Sequence, residues 1–390
     1  MSAIFNRVRI VLAVFLSTTP IGCSWSTNGG SDASTDDGTN DCVFLGEPVH
    51  RGLNESNEKG ALRLSYGSIP FLGFDFGGDL IVYSDINAQL YCVDTKSGLE
   101  WKLCTSAPKD GGGNGSRIYP AVSSGIIIAR GYNRISEPVA LFLYNLHKGK
   151  QYKPNLPFFE PNYPRVDGNR VVYLDRRYWT DLGGQNTEIF LYDIETGVET
   201  RLTTQPMIQA FPAISGDRVV WEDYRKGHFC EEIVLYDLAT KEYRNITDDL
   251  VRQFSPNIDG DLIVWTDLRN GESRTNGSYT NADVYLYRIS TGELTQITTD
   301  PGDQEYPFIN GKYIGWTDLR HGRRTSSGMY EVSNVFVYNL ETREEKQVTF
   351  STTLSECCPV IRGDKLVYQS YDINTGKGAL WLVDLKKYWP

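Results

Sequence analysis

The chain has 390 residues, 40% of them hydrophobic and 12% aromatic, with 24 Tyr and 8 Trp, which is enough apolar material for a large core and too much for a disordered chain. Against 39 Lys and Arg stand 49 Asp and Glu, a formal charge of −10 with no basic stripe, so nucleic acid is excluded as the main partner.

Residues 1–22 read as a secretory signal: Arg7 and Arg9, an apolar run from Ile10 to Leu16, then small residues. The run is too short for a lasting membrane span. Ile21-Gly22-Cys23 resembles a bacterial lipoprotein box, with Pro20 where that box usually carries Leu. The resemblance implies lipidation of Cys23 and an outer membrane-anchored protein facing the periplasm or the cell surface, held to the membrane by lipid alone. Residues 23–41 are polar and rich in Gly, Ser, Asp and Thr, as suits a solvated tether, and lack the spacing of a calcium loop. Residues 42–390 then form one domain.

That domain is written in repeats. Gly216-Asp217-Arg218-Val219-Val220-Trp221-x-Asp223-x-Arg225 matches residues 260–269 and 311–320 position for position, and residues 168–177 repeat it with Tyr173 for Trp. Fainter copies start at Gly78, Ser124 and Gly363, so seven anchors recur at steps of 44 to 52 residues, the size of a propeller blade. Each unit predicts four strands. Strand a carries a Pro, as in Phe211-Pro212 and Tyr306-Pro307; strand b is the Val-Val-Trp-x-Asp run. Strand c reads EIFLYDIETG, EIVLYDLATK, DVYLYRISTG and NVFVYNLETR, and strand d carries ETRLTT, YRNIT, LTQITT and KQVTF. These are β-branched and aromatic runs between turn residues, with no sustained helical period after the signal. The expected fold is all-β, a seven-bladed propeller of four-stranded antiparallel blades. The last unit lacks a strand d, and residues 61–70 read as a strand d followed by a strand a, so the N-terminal strand is expected to complete the last blade.

Within strand b, residues two apart share a face, so Trp, Asp and Arg project together. Tyr173, Asp175 and Arg177, with Trp221, Asp223 and Arg225, Trp265, Asp267 and Arg269, and Trp316, Asp318 and Arg320, are read as an apolar wedge plus an ion pair in each repeat. A ring of Arg binding an anion at one mouth is the competing reading. The pattern Pro-x-Ile-x-Gly-Asp, Val-Trp-x-Asp, Tyr-Leu-Tyr-Asp-x-x-Thr-Gly and Ile-Thr resembles the TolB-type propeller repeats of bacterial envelope proteins over residues 61–387. Ser-Gly-Asp or Asp-Gly-Asp replaces their usual Ser-Pro-Asp-Gly, and the α/β domain that precedes the propeller in TolB itself is not seen.

Function is sought in the b–c connections, which vary most and carry aromatics. The ligand-binding candidates are Tyr178, Trp179, Arg274, Tyr279, His321, Arg323, Arg324 and Tyr330, where rings would stack and polar groups would orient a sugar or an extended peptide. The leading reading is a monomeric, non-catalytic scaffold for an envelope protein or glycan, with no cofactor and no metal. The alternative is a polysaccharide lyase using His228, His321 and Tyr330. No Gly-x-Ser-x-Gly suggests an attached hydrolase, and His228 with Glu231 or Glu232 lacks metal-ligand spacing. In an exported chain the cysteines suggest disulfides: Cys92 with Cys104 as hairpin neighbours, Cys42 with Cys357 or Cys358, or a bond between the adjacent pair.

Overall fold

The computed structural model describes residues 39–40, 44–50, 61–64, 73–85, 89–103, 119–132, 139–152, 154, 156, 160–178, 186–226, 230–273, 279–324 and 330–390. These residues build an all-β protein of antiparallel sheets. The first sheet runs Phe74–Gly77, Leu80–Ser84, Leu90–Asp94, Leu99–Leu103, and the second Ala121–Ser123, Ile126–Tyr132, Val139–Asn145, Lys150–Tyr152. The third runs Asn162–Asp167, Arg170–Asp175, Glu188–Asp193, Glu199–Arg201, and the fourth Gln209–Ser215, Arg218–Asp223, Glu232–Asp237, Glu242–Asn245. The fifth runs Gln253–Asp259, Leu262–Asp267, Asp283–Arg288, Glu293–Gln296, and the sixth Gln304–Asn310, Tyr313–Arg324, Tyr330–Asn339, Glu344–Gln347. In the last sheet, Ser355–Arg362, Lys365–Asp372 and Lys377–Asp384 are joined by Leu62–Arg63, which pairs antiparallel with Lys377–Asp384 in the register Leu62 to Leu382. A single parallel pairing of Ser333 with Ser355 links the sixth and last sheets.

Each a–b turn is made by the anchor glycine in the left-handed region, with φ of 56° at Gly168, Gly216 and Gly260 and 57° at Gly311 and Gly363. An added Cβ at these five positions would meet no atom within 4 Å, so it is backbone conformation and not space that calls for glycine. At the far end of strand c, a threonine of strand d closes the hairpin: Thr203, Thr247, Thr298 and Thr349 accept the N–H of Ile189, Ile233, Val284 and Val335 at 2.8 to 2.9 Å.

The core lies between sheets. Trp221 packs with Leu174 and Ile189 of the preceding sheet, Trp265 with Ile233, and Trp316 with Val284, all fully buried. Phe74, Phe76 and Tyr83 of the first sheet pack with Cys357, Val367 and Leu380 of the last. Lys365 also reaches Asp79 across that junction at 3.4 Å.

Three expectations change. Strand a of the first sheet is Phe74–Gly77, beyond the 61–70 stretch, because Phe74 and Phe76 supply the alternating apolar face. Phe44–His50 and Thr39–Asn40 add outer fifth strands to the first and second sheets, the latter inside the segment read as tether; edge strands offer unpaired N–H and C=O groups that a polar segment can satisfy as well as an apolar one. Finally, Cys92 is a buried thiol opposite Trp101, and the expected partner Cys104 lies outside the described residues. Cys92, Cys230, Cys357 and Cys358 are thiols, while Cys23, Cys42 and Cys104 lie outside the described residues.

Candidate functional site: the central cavity and the rim above it

The innermost strands share one irregularity. From the third sheet to the last, the residue before the strand a proline is left-handed: φ is 48° at Tyr163, 49° at Phe211, 55° at Ser255, 52° at Tyr306 and 59° at Cys358. Pro has no N–H for the ladder, and each of these sheets shifts register there as a β-bulge. A bulky residue before Pro is normally extended, so these conformations are held by their surroundings. The holders come from the preceding sheet. The middle residue of each Trp-x-Asp accepts the bulge N–H: Glu222 from Ser255 at 2.6 Å, Thr266 from Tyr306 at 3.3 Å, Thr317 from Cys358 at 3.0 Å.

The bulged residues line a central cavity of about 230 Å³ together with the rest of strand a. Tyr119 and Phe211 flank Tyr163, each with ring centroids 4.5 Å away, giving an aromatic wall. Below it, near the a–b turns, the last residue of strand a in the third to sixth sheets accepts the glycine N–H of the following sheet. Asp167 serves Gly216 at 2.7 Å, Ser215 serves Gly260 at 3.0 Å, Asp259 serves Gly311 at 2.6 Å and Asn310 serves Gly363 at 2.8 Å. In the last sheet this place is held by Arg362, which has only donors. Its Nη1 donates to the carbonyl of Ile361 at 2.9 Å, and the guanidinium lies 4.8 Å from the Phe308 ring centre. Burial pushes the Arg362 guanidinium below its ordinary value, Arg165 adds repulsion, and Asp75, Asp259 and Asp167 oppose the shift. Arg165 donates only to the carbonyl of Pro164, at 3.2 Å, and neither arginine has an ion-pair partner among the described residues.

Glu222 is the variant holder, a carboxyl where the two following repeats have threonine. It is 2% exposed, and burial pushes its pKa up to about 7 against the pull of the Ser255 N–H and the Tyr224 hydroxyl, 3.0 Å away.

On the b–c side, the connections are more ordered than loops. Tyr313–Arg324 and Tyr330–Asn339 form one long hairpin, and Glu272–Ser273 pairs with Tyr279–Thr280 as a short ribbon. Of the candidate residues, Tyr279, Arg324 and Tyr330 come together, around a partner the sequence did not reveal. Glu305, fully buried, accepts from both Arg324 and Tyr330. Arg324 also donates to the Tyr279 hydroxyl at 3.3 Å and pairs with Asp303 at 3.5 Å. Burial works against the Arg324 charge, yet Glu305, Tyr330 and Tyr279 hold it above its ordinary range. Burial and then the Glu305 charge raise the Tyr330 phenol above its ordinary value. Tyr178 lies apart, under Arg201 at 3.9 Å. His321 is exposed, with no hydrogen-bond partner among the described residues. His228, Trp179, Arg274 and the Arg323 side chain lie outside those residues.

The repeat arginines fold back inside their own sheets. Arg177, Arg225, Arg269 and Arg320 bind Asp175, Asp223, Asp267 and Asp318 through Nε at 2.8 to 3.2 Å. Three of them also cover a strand c ring: Arg177 over Phe190, Arg269 over Tyr285 and Arg320 over Phe336, at 4.0 to 4.4 Å. Among the described residues no group of three or more His, Cys, Asp or Glu is arranged to hold a metal ion.

No protein-family model matches this chain, and no curated protein does. Solved structures do resemble it. The β-propeller domain of the Trilobed protease from Pyrococcus furiosus superposes with a TM-score of 0.57 at 12% identity, over 82% of this chain and 95% of that one. The acylaminoacyl peptidase of Pyrococcus horikoshii gives 0.59 at 13%, over 82% of this chain and 51% of that one. The tricorn protease gives 0.55 at 15%, over 83% and 36%, so this chain spans only part of the two longer proteins. At such identities the likeness speaks for fold alone. The chain is a β-propeller.

Proposed function

We propose that the chain is an exported, lipid-anchored scaffold that holds an envelope protein or glycan on the b–c side of a closed, seven-bladed, monomeric propeller. Closure is supported by the pairing of Leu62–Arg63 with Lys377–Asp384 and by the shared core of the first and last sheets. Export and anchoring rest on the signal-like residues 1–22 and on Cys23.

The observation that carries the binding reading is the cross-linked wall. Arg324 of the sixth sheet's hairpin joins Tyr279 of the fifth sheet's ribbon, so neighbouring b–c connections form one preorganised relief beside the cavity mouth. Rigid presentation lowers the ordering cost of a partner. The test is capture of glycans on an array, and of envelope proteins, by residues 24–390. Replacing residues 320–330 with a two-residue turn should abolish capture, and the double variant His228→Ala, His321→Ala should retain it. Loss of a measurable polysaccharide cleavage in the histidine variant would instead establish the lyase reading.

A further inference from the structure

The cavity is unbalanced in its hydrogen-bonding groups. Asp75 is committed through both carboxylate oxygens, which accept the N–H of Phe76 and of Val122 at 2.9 Å each. Asp167 and Asp259 each accept a glycine N–H from the following sheet. The amide oxygen of Asn310 accepts from Gly363 at 2.8 Å and that of Asn257 from Ile309 at 3.1 Å; because a backbone N–H can only donate, both amides are oriented with their NH₂ groups elsewhere. Those two NH₂ groups have no partner among the described residues. The Ser215 hydroxyl is in the same position, its oxygen taken by Gly260. Assembling the sheets has therefore engaged one oxygen of Asp167 and of Asp259 and the amide oxygens of both asparagines, and leaves amide donors beside the cavity.

Two further donors are charged. Arg165 and Arg362, both half-buried, line the cavity and bind nothing but neighbouring carbonyls; Asp75, Asp259 and Asp167 favour the Arg362 charge from a distance without forming an ion pair. An unpaired guanidinium out of bulk water is costly unless an anion completes it. The aromatic wall of Tyr163 and Phe211 lies toward the b–c side, and Phe308 stands beside Arg362.

We infer that the cavity binds a small organic carboxylate, its anionic end between Arg165 and Arg362 with Asn257 and Asn310 as neutral donors, and its body against Tyr163 and Phe211. A peptide C-terminus and a sugar acid share this chemistry. The site is the cavity floor and not the outer wall, so it stands or falls separately from capture on the b–c side.

The experiment is calorimetric titration of residues 24–390 with three probes: acetyl-Ala-Ala bearing a free carboxylate, the same dipeptide as its C-terminal amide, and glucuronate. Binding of the free acid at least ten-fold tighter than the amide supports the inference with a peptide source; binding of glucuronate alone supports it with a sugar-acid source. In either case Arg165→Gln and Arg362→Gln must each weaken binding about ten-fold, the loss of one charge-assisted pair, with an unchanged melting temperature. Equal binding of acid and amide without glucuronate binding, no binding at all, or folded arginine variants that bind like the parent would overturn it. Should the variants not fold, the arginine Nε–H resonances of the unmutated protein decide: they must shift on titration with the bound carboxylate, and their silence refutes the site.

Discussion

The carboxylate of Asp318 accepts the indole N–H of Trp316 at 2.9 Å, two residues back along the same strand, while its oxygens also hold the Arg320 guanidinium at 2.8 and 3.0 Å. One buried side chain thus fixes the wedge between two sheets and the cation that covers Phe336. Asp318→Ala would leave the buried indole donor unsatisfied and the Arg320 guanidinium held mainly by Glu345 at 2.7 Å, and is predicted to cost about 3 kcal/mol. Arg225→Ala, at the same place in a repeat where the arginine side chain is 36% exposed, should cost about 1 kcal/mol or less. Urea midpoints at constant m-value would measure both.

Glu222 makes stability depend on pH. Its folded pKa, near 7, lies above the ordinary carboxylate value, so the native state holds this proton more tightly than the unfolded chain does. The contribution is complete below the unfolded pKa and is lost as pH rises through about 7, on the order of 3 kcal/mol in all. Glu222→Gln keeps an acceptor for the Ser255 N–H and removes the titration. Melting temperatures of parent and variant between pH 4.5 and 8 should diverge, the parent falling relative to the variant; parallel curves would refute this.

The anchor glycines are a conformational requirement. Gly311→Ala places a Cβ in open space but at a φ of 57°, and is predicted to destabilise by about 1 kcal/mol. Gly311→Asn should cost less, since asparagine tolerates this region. Denaturant titration of the two variants checks the order.

The thiols should differ in reactivity. Burial raises the Cys92 thiol to about 12, with Asp94 and Glu100 adding to it, and Cys358 is likewise raised by burial. Cys230 is only half-buried, its Sγ 3.7 Å from the carbonyl of Leu250. Among these residues iodoacetamide at pH 8 is expected to alkylate Cys230 first, as peptide mapping by mass spectrometry would show.

Much of the sheet pattern was legible because it is local. A strand's two-residue period sets which of Val219, Trp221 and Asp223 share a face, and a Gly-Asp pair marks a hairpin turn wherever it falls. The motif Trp-x-Asp-x-Arg could be read as wedge and ion pair from spacing alone. The middle position of that motif could not, because the N–H it serves belongs to the next repeat, more than thirty residues on, as Glu222 serves Ser255. The signal was present all the same: a glutamate and then two threonines occupy that place, and Arg362 replaces the Asp, Ser or Asn that ends strand a from the second sheet to the sixth. In the polar connections nothing in the sequence pointed to the partner, since Glu305, which engages Arg324 and Tyr330, lies in a strand a.

What the residue order determined unaided is the repeat, its strands and its turns, since each depends on neighbours a few positions apart. What only the folded molecule decided is the cavity. There, backbone N–H groups of one sheet take their acceptors from another, prolines force bulges that turn Tyr163 and Phe211 inward, and Arg165 meets Arg362 from nearly two hundred residues away. Hydrogen-bond pairing of this kind is a property of assembled sheets, so which groups are engaged is decided only where one sheet meets the next.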